Sequence, residues 1–199
     1  MTIISHQHKF IILLNPKCAA SSIQQTLSKY NQKQKSDIRE GRRALHNSLK
    51  DLTFDYDEYF TAIFVRNPWD RIISYYKYVV EKSSKHPHHH QMRCQSFQQF
   101  VRTPSNALLS QCSTRAKGVK WVGRFENLTK DFTNLCNLCG IWDETSRQLL
   151  HGNSTDRKKN DFDEYFTSQD LIDLVAEYYK TDIELYGYKF PNKKENTNE

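Results

Sequence analysis

Apolar residues in this chain fall into short runs separated by stretches with helical spacing. Residues 10–14 (FIILL) form a run bounded by Lys9 and Asn15-Pro16, short and β-branched enough for a buried strand. Ile23, Leu27 and Tyr30 then recur at helical spacing, so strand, tight loop and helix follow one another. The order repeats further on. Residues 59–65 (YFTAIFV) read as a second buried strand, ending in Arg66-Asn67-Pro68-Trp69-Asp70-Arg71, and Ile72, Ile73, Tyr76 and Val80 mark one face of the next helix. Asn67 suits an N-cap, Pro68 the first helical position and Asp70 the first turn. A third strand is expected at residues 119–125 (VKWVGRF), then a helix from about Thr129 to Cys139 that Gly140 ends.

The remaining segments are less sharply patterned. Residues 1–8 read as a short exposed lead and 31–36 as a polar connection. A helix is expected over residues 37–51, with Ile38, Leu45, Leu49 and the following Leu52 on its apolar side. Residues 96–102 form a short helix with Phe97, Phe100 and Val101 inward, and 108–116 a connecting one. Thr167-Ser168-Gln169-Asp170 resembles a capping box. The last helix runs to about Tyr186, with Leu171, Leu174, Val175, Tyr178 and Ile183 inward, and Gly187 terminates it. Strands alternating with helices predict an α/β fold, a mostly parallel sheet flanked by helices. No internal repeat or interior linker divides it, so a single domain is expected over residues 1–191, with a solvated tail at 192–199.

Composition narrows the partners. Lys and Arg number 29 against 23 Asp and Glu, a net charge of +6, which favours anionic ligands without choosing among nucleotides, acidic glycans and nucleic acid. No apolar run reaches transmembrane length, and the N-terminus shows no signal-peptide pattern, so a cytoplasmic protein is expected. The five cysteines, Cys18, Cys94, Cys112, Cys136 and Cys139, have no framework spacing and read as reduced thiols. Cys136 and Cys139 lie beside Phe132 and Leu135 on the expected helix, where core packing competes with metal or redox use; a zinc site would want a second pair. The histidine run at residues 86–90 reads as a solvated loop.

Candidate chemistry gathers where strands end. After the first strand, Lys17 and the small residues Cys18, Ala19, Ala20, Ser21 and Ser22 let backbone N–H groups approach a ligand, and a helix start adds donors and a positive dipole end. The loop is either a site for phosphate or a similar tetrahedral anion, or only a turn. It is not a Walker A loop: Cys18 follows the lysine where a Mg²⁺-holding hydroxyl would stand. Arg66 sits at the C-terminal end of the second strand, the edge at which open α/β sheets bind ligands, as an anion ligand or half of a structural ion pair. His46, in the expected helix, is catalytic or structural. Two anion sites on one sheet edge suggest a ligand with two anionic ends.

The motifs PKCAASS, FVRNPWDRIISYY, GRFENL, NSTDR and YYKTDIELYGYKF, in this order, resemble the carbohydrate-type sulfotransferases over nearly the whole chain. FVRNPWDR is the most distinctive. The resemblance implies a P-loop-like sulfotransferase fold and transfer of a sulfuryl group from 3′-phosphoadenosine 5′-phosphosulfate (PAPS) to an alcohol, usually on a sugar. It implies no metal and no nucleic acid, and leaves the oligomeric state open. By the same resemblance, the loop from Lys17 to Ser22 meets the 5′-phosphosulfate, with Lys17 on the bridging oxygen. Arg66 and Ser74 form the 3′-phosphate site; Ser154 and Arg157 belong to a segment that closes over the nucleotide; His46 is the general base. The alternatives are a nucleotide- or glycan-binding protein of the same fold without catalysis, and a metal-dependent P-loop kinase acting on a small molecule. The acceptor pocket is expected in segments 31–58 and 82–118.

Overall fold

The computed structural model describes residues 2–39, 47–82, 95–103, 111–141, 149 and 162–191. They fall into two compact units, one drawn from residues 1–66 and 112–154, the other from 67–111 and 155–199.

The first unit carries the sheet. Its strands β1 (Thr2–Ser5), β2 (Phe10–Leu13), β3 (Phe60–Val65) and β4 (Trp121–Arg124) lie in the order β1-β2-β3-β4. β2, β3 and β4 run parallel, in a register that sets Leu13 beside Ile63 and Val65 beside Arg124. β1 is antiparallel to β2. The fold is therefore α/β with a mostly parallel sheet, as the alternating pattern predicts. β2 is buried throughout and β3 from Thr61 onward, which is why both appear as unbroken apolar runs. On one side of the sheet, Ile4, Ile11, Leu13 and Ile63 pack with Leu49, Leu52 and Tyr59.

Two expectations fail here. Residues 2–5 are a fully buried strand rather than an exposed lead. Ile3 and Ile4 pair with Ile12 and Ile11 across a turn at residues 6–9, in which Lys9 takes φ 52°. The described parts of 37–51 are also not one α-helix. Residues Lys35–Asp37 and Leu49–Asp51 form 3₁₀ turns, and Ile38 pairs with Leu52 in an isolated antiparallel bridge. Asp51 accepts from both the backbone N–H and the hydroxyl of Ser48, each at 2.9 Å, which closes the second turn locally. His6 fixes the first: its ring nitrogens lie 2.8 Å from the Tyr59 hydroxyl and 3.2 Å from the Asp37 carboxylate.

Three helices complete the described part of this unit: α1 (Ala20–Thr26), α4 (Cys112–Ala116) and α5 (Leu128–Leu138), with α2 and α3 falling in the second unit. α1 is shorter than expected and passes into a 3₁₀ turn at Ser28–Tyr30. α5 buries Phe132, Leu135 and Cys136 and stops at Gly140, with φ 64°. Cys136 and Cys139 are both buried, and burial pushes the Cys139 thiol up to about 12, with Cys136 adding to the shift. That is how packed thiols behave. Among the described residues no cluster of three or more His, Cys, Asp or Glu could hold a metal.

The second unit is helical: α2 (Pro68–Lys77), α3 (Phe97–Arg102), α6 (Phe162–Tyr165), α7 (Gln169–Tyr178) and α8 (Lys180–Tyr186). The Asn67 side chain accepts from the Trp69 N–H at 3.1 Å, so the cap falls where the sequence places it. Asn67 Nδ2 donates to the Lys189 carbonyl at 2.9 Å, the Trp69 indole donates to Ile172 at 3.0 Å, and the Trp69 ring meets Phe190 edge-on. The NPW and YKF motifs are thereby joined. The expected last helix is broken at Tyr179, which is buried together with Leu171 and Val175. Ser168 makes no side-chain cap on the backbone; the capping-box pattern instead leaves the exposed Asp170 held below its ordinary range by the Ser168 hydroxyl and then by Arg102. Gly187, at φ 64°, ends α8. No described helix is long and apolar enough to cross a membrane.

Candidate functional site

The three parallel strands deliver their C-terminal ends to one edge, where β2 leads to Lys17, β3 to Arg66 and β4 to Phe125. Asn15 locks the first of these ends. Its Nδ2 donates to the Phe64 carbonyl at 2.9 Å, and its Oδ1 accepts from Arg115 Nη1 at 2.8 Å. With both ends of the amide bonded, a buried asparagine sets where the loop leaves the sheet.

The loop then turns sharply. Lys17 has φ 64° and Ala19, the residue that caps α1, has φ 60°. Neither is glycine, and such left-handed positions persist where the surroundings over-determine them. The Cys18 N–H returns to the Asn15 carbonyl at 3.3 Å, and the first helical bond is Ile23 N–H to Ala19 at 3.0 Å. The N–H groups of the first turn ahead of Ile23 thus lie outside the helix's own bonding pattern, the usual setting for an anion. Cys18 and Ala20 are buried, Lys17 and Ala19 half-buried and Ser21 exposed, while Ser22 is buried.

Arg66 closes on this loop. It is 5% exposed, donates from Nη1 to the Lys17 carbonyl at 2.8 Å, and lays its guanidinium 3.8 Å from the centre of the Phe125 ring. The open choice between anion ligand and structural partner is thus partly resolved: Arg66 braces the loop backbone whatever else it binds. Lys17 and Arg66, distant in the sequence, meet at one strand edge.

Of the other predicted residues, Ser74 alone is among the described ones. Ser74 is on α2 in the second unit, 4% exposed. His46, Ser154 and Arg157 are outside the described residues, as is the histidine run at 86–90.

Arg115, on α4, was not anticipated. It is 3% exposed and its guanidinium donates to the Leu14 carbonyl at 2.8 Å and to the Asn47 carbonyl at 2.6 and 3.1 Å, besides its bond to Asn15. A planar fork of donors suits such a task better than an ammonium group. Nothing in the local sequence CSTRA marks it, because its partners are mostly backbone carbonyls.

A mostly parallel sheet, a left-handed loop that opens a helix after β2, and a buried guanidinium bonded to that loop's backbone define an α/β protein of the strand–loop–helix kind. A model of the sulfotransferase family matches residues 1–189, and the chain belongs to that family. Neither a curated protein nor a solved structure matches it. Membership makes the chain a sulfotransferase and favours sulfuryl transfer over the phosphoryl-transfer alternative.

Proposed function

We propose that this sulfotransferase takes its sulfuryl group from PAPS and transfers it to a hydroxyl group of a carbohydrate or related alcohol. The observation that carries the reading is the bond from Arg66 to the Lys17 carbonyl, which holds a lysine-bearing loop and a buried guanidinium at one strand edge. A donor nucleotide with anionic groups at both ends suits such a pairing.

Lys17 and the backbone of Cys18, Ala19, Ala20, Ser21 and Ser22 hold the 5′-phosphosulfate, and Lys17 meets the charge that grows on the leaving phosphate oxygen. Arg66 and Ser74 bind the 3′-phosphate, and Ser154 and Arg157 close over the nucleotide. His46 removes the proton from the acceptor hydroxyl; a neutral imidazole near pH 7 suits that step. The acceptor oxygen bonds to sulfur as the sulfur–oxygen bond to the nucleotide breaks, leaving 3′,5′-ADP. No metal ion takes part in this scheme. Residues 1–191 make up the catalytic domain, and five cysteines without framework spacing support a cytoplasmic location.

The test compares melting temperatures with 3′,5′-ADP and with ADP at equal concentrations. A ligand that binds only the folded state stabilises it by mass action. The 3′-phosphate site requires a clearly larger rise with 3′,5′-ADP; equal rises would remove that site, and no rise with either nucleotide would remove the PAPS reading.

A further inference from the structure

Asn47 is 2% exposed, and its side-chain nitrogen is a buried donor with no hydrogen-bond partner among the described residues. Buried amide donors are nearly always satisfied, because stripping water from an N–H without replacing its bond is costly. The backbone that carries it is fixed closely. The Asn47 carbonyl accepts twice from Arg115, whose Nη1 reaches both Leu14 and Asn15, the residues that lead β2 into the Lys17 turn. One guanidinium therefore ties the Asn47 backbone to the strand end from which the anion loop leaves.

We propose that Asn47 is a substrate-binding residue whose side-chain N–H donates to an oxygen of the sulfuryl group being transferred. This rests on the PAPS reading above. The sulfuryl oxygens carry negative charge and accept hydrogen bonds, the complement of an unfilled donor. Position in the chain also favours them over the nucleotide. Asn47 directly follows His46, assigned to the acceptor, while Arg115 holds it to the donor loop. A group between acceptor and donor is the one that moves.

The experiment measures the affinity of wild type and Asn47→Ala for PAPS and for 3′,5′-ADP, which lacks the sulfuryl group, by calorimetry. The expected result is a loss of roughly tenfold or more for PAPS, the scale of one hydrogen bond to a charged group. Affinity for 3′,5′-ADP should stay within about twofold. Because the side-chain nitrogen has no partner to lose among the described residues, the free variant should melt close to wild type. Equal affinity changes for the two nucleotides overturn the inference while leaving the PAPS reading intact. Failure of wild type to bind either nucleotide overturns both. A second measurement needs no variant. In protein labelled with ¹⁵N-asparagine, the Asn47 side-chain resonances should move with PAPS and stay in place with 3′,5′-ADP; identical shifts with both would overturn the assignment.

Discussion

Replacing Arg66 by alanine removes a hydrogen bond and a stacked ring in one step, so its cost can be worked from the geometry. The bond to the Lys17 carbonyl is 2.8 Å long and comes from a charged group at 5% exposure. Such bonds contribute about 1.5–3 kcal/mol. The guanidinium lies 3.8 Å from the Phe125 centroid. A cation over a ring with little water adds about 1–2 kcal/mol. Both contacts belong to one side chain and do not add fully. Arg66→Ala should therefore lose about 2–4 kcal/mol of stability, which leaves a domain of ordinary stability folded. Phe125→Leu removes the ring alone and should lose about 1 kcal/mol. Urea titrations of the two variants beside wild type measure both values. An Arg66→Ala protein as stable as wild type would refute the bracing role. Calorimetry on the same proteins then separates bracing from ligand binding. With a phosphate contact, Arg66→Ala weakens 3′,5′-ADP by a further 1.5–3 kcal/mol or so, while Phe125→Leu leaves its affinity within about threefold.

Three further outcomes follow from local geometry. A Cβ on Gly123 would stand 2.5 Å from Phe64 Cε1 and 2.6 Å from Trp121 Cη2, so Gly123→Ala should lower the urea midpoint by an amount equivalent to about 1–3 kcal/mol; an unchanged midpoint would mean the two rings move aside freely. At Ala19, where φ is 60°, glycine should hold or raise stability by about 0.5 kcal/mol and valine should lower it by more than about 1 kcal/mol; a valine variant as stable as the glycine one would argue against the left-handed turn. Cys139 keeps its proton up to about pH 12 when folded and loses it near the ordinary thiol value of about 8.5 when unfolded, so stability should fall as pH rises above about 9, by up to about 1.4 kcal/mol per pH unit. Cys139→Ala should flatten that part of the pH–stability curve; the same slope in both proteins would remove the thiol as its source.

What could be read from the sequence divides along a physical line. β2 and β3 are legible because each is a buried run bounded by a clear break, and α2 because Asn67 and Pro68 use a capping chemistry that depends only on neighbours. The meeting of Lys17 and Arg66 is legible because each shortly follows a buried strand and the ends of parallel strands share one edge. β1 is not, since Ile3 and Ile4 show their pattern only once Ile11 and Ile12 lie opposite them, and the turn between carries no Asn-Gly signal. The segment at 37–51 misleads because Ile38, Leu49 and Leu52 match a helical stripe, yet their burial comes from the sheet face and an antiparallel bridge. Arg115 is silent for another reason: a side chain that serves carbonyls leaves no mark on the identity of the residues it serves.

The two arginines have a common effect on the loop. Arg66 holds the Lys17 carbonyl, and Arg115 holds Leu14 and Asn15, so the chain is fixed on both sides of Pro16 before it enters the left-handed positions at Lys17 and Ala19. Each such non-glycine position costs on the order of 1–2 kcal/mol, a strain a loosely held surface loop would relax. Here two buried guanidinium groups oppose the relaxation and bring positive charge to the same strand end. Donors already fixed in place need little reorganisation when charge develops on a ligand, which is the condition under which electrostatic stabilisation is largest. Ala19→Gly therefore acts on two quantities in opposite senses. It relieves strain in the free protein, and it lets the loop sample other shapes. A variant that is as stable as wild type and yet binds 3′,5′-ADP more weakly would show that the strained turn serves the ligand rather than the fold.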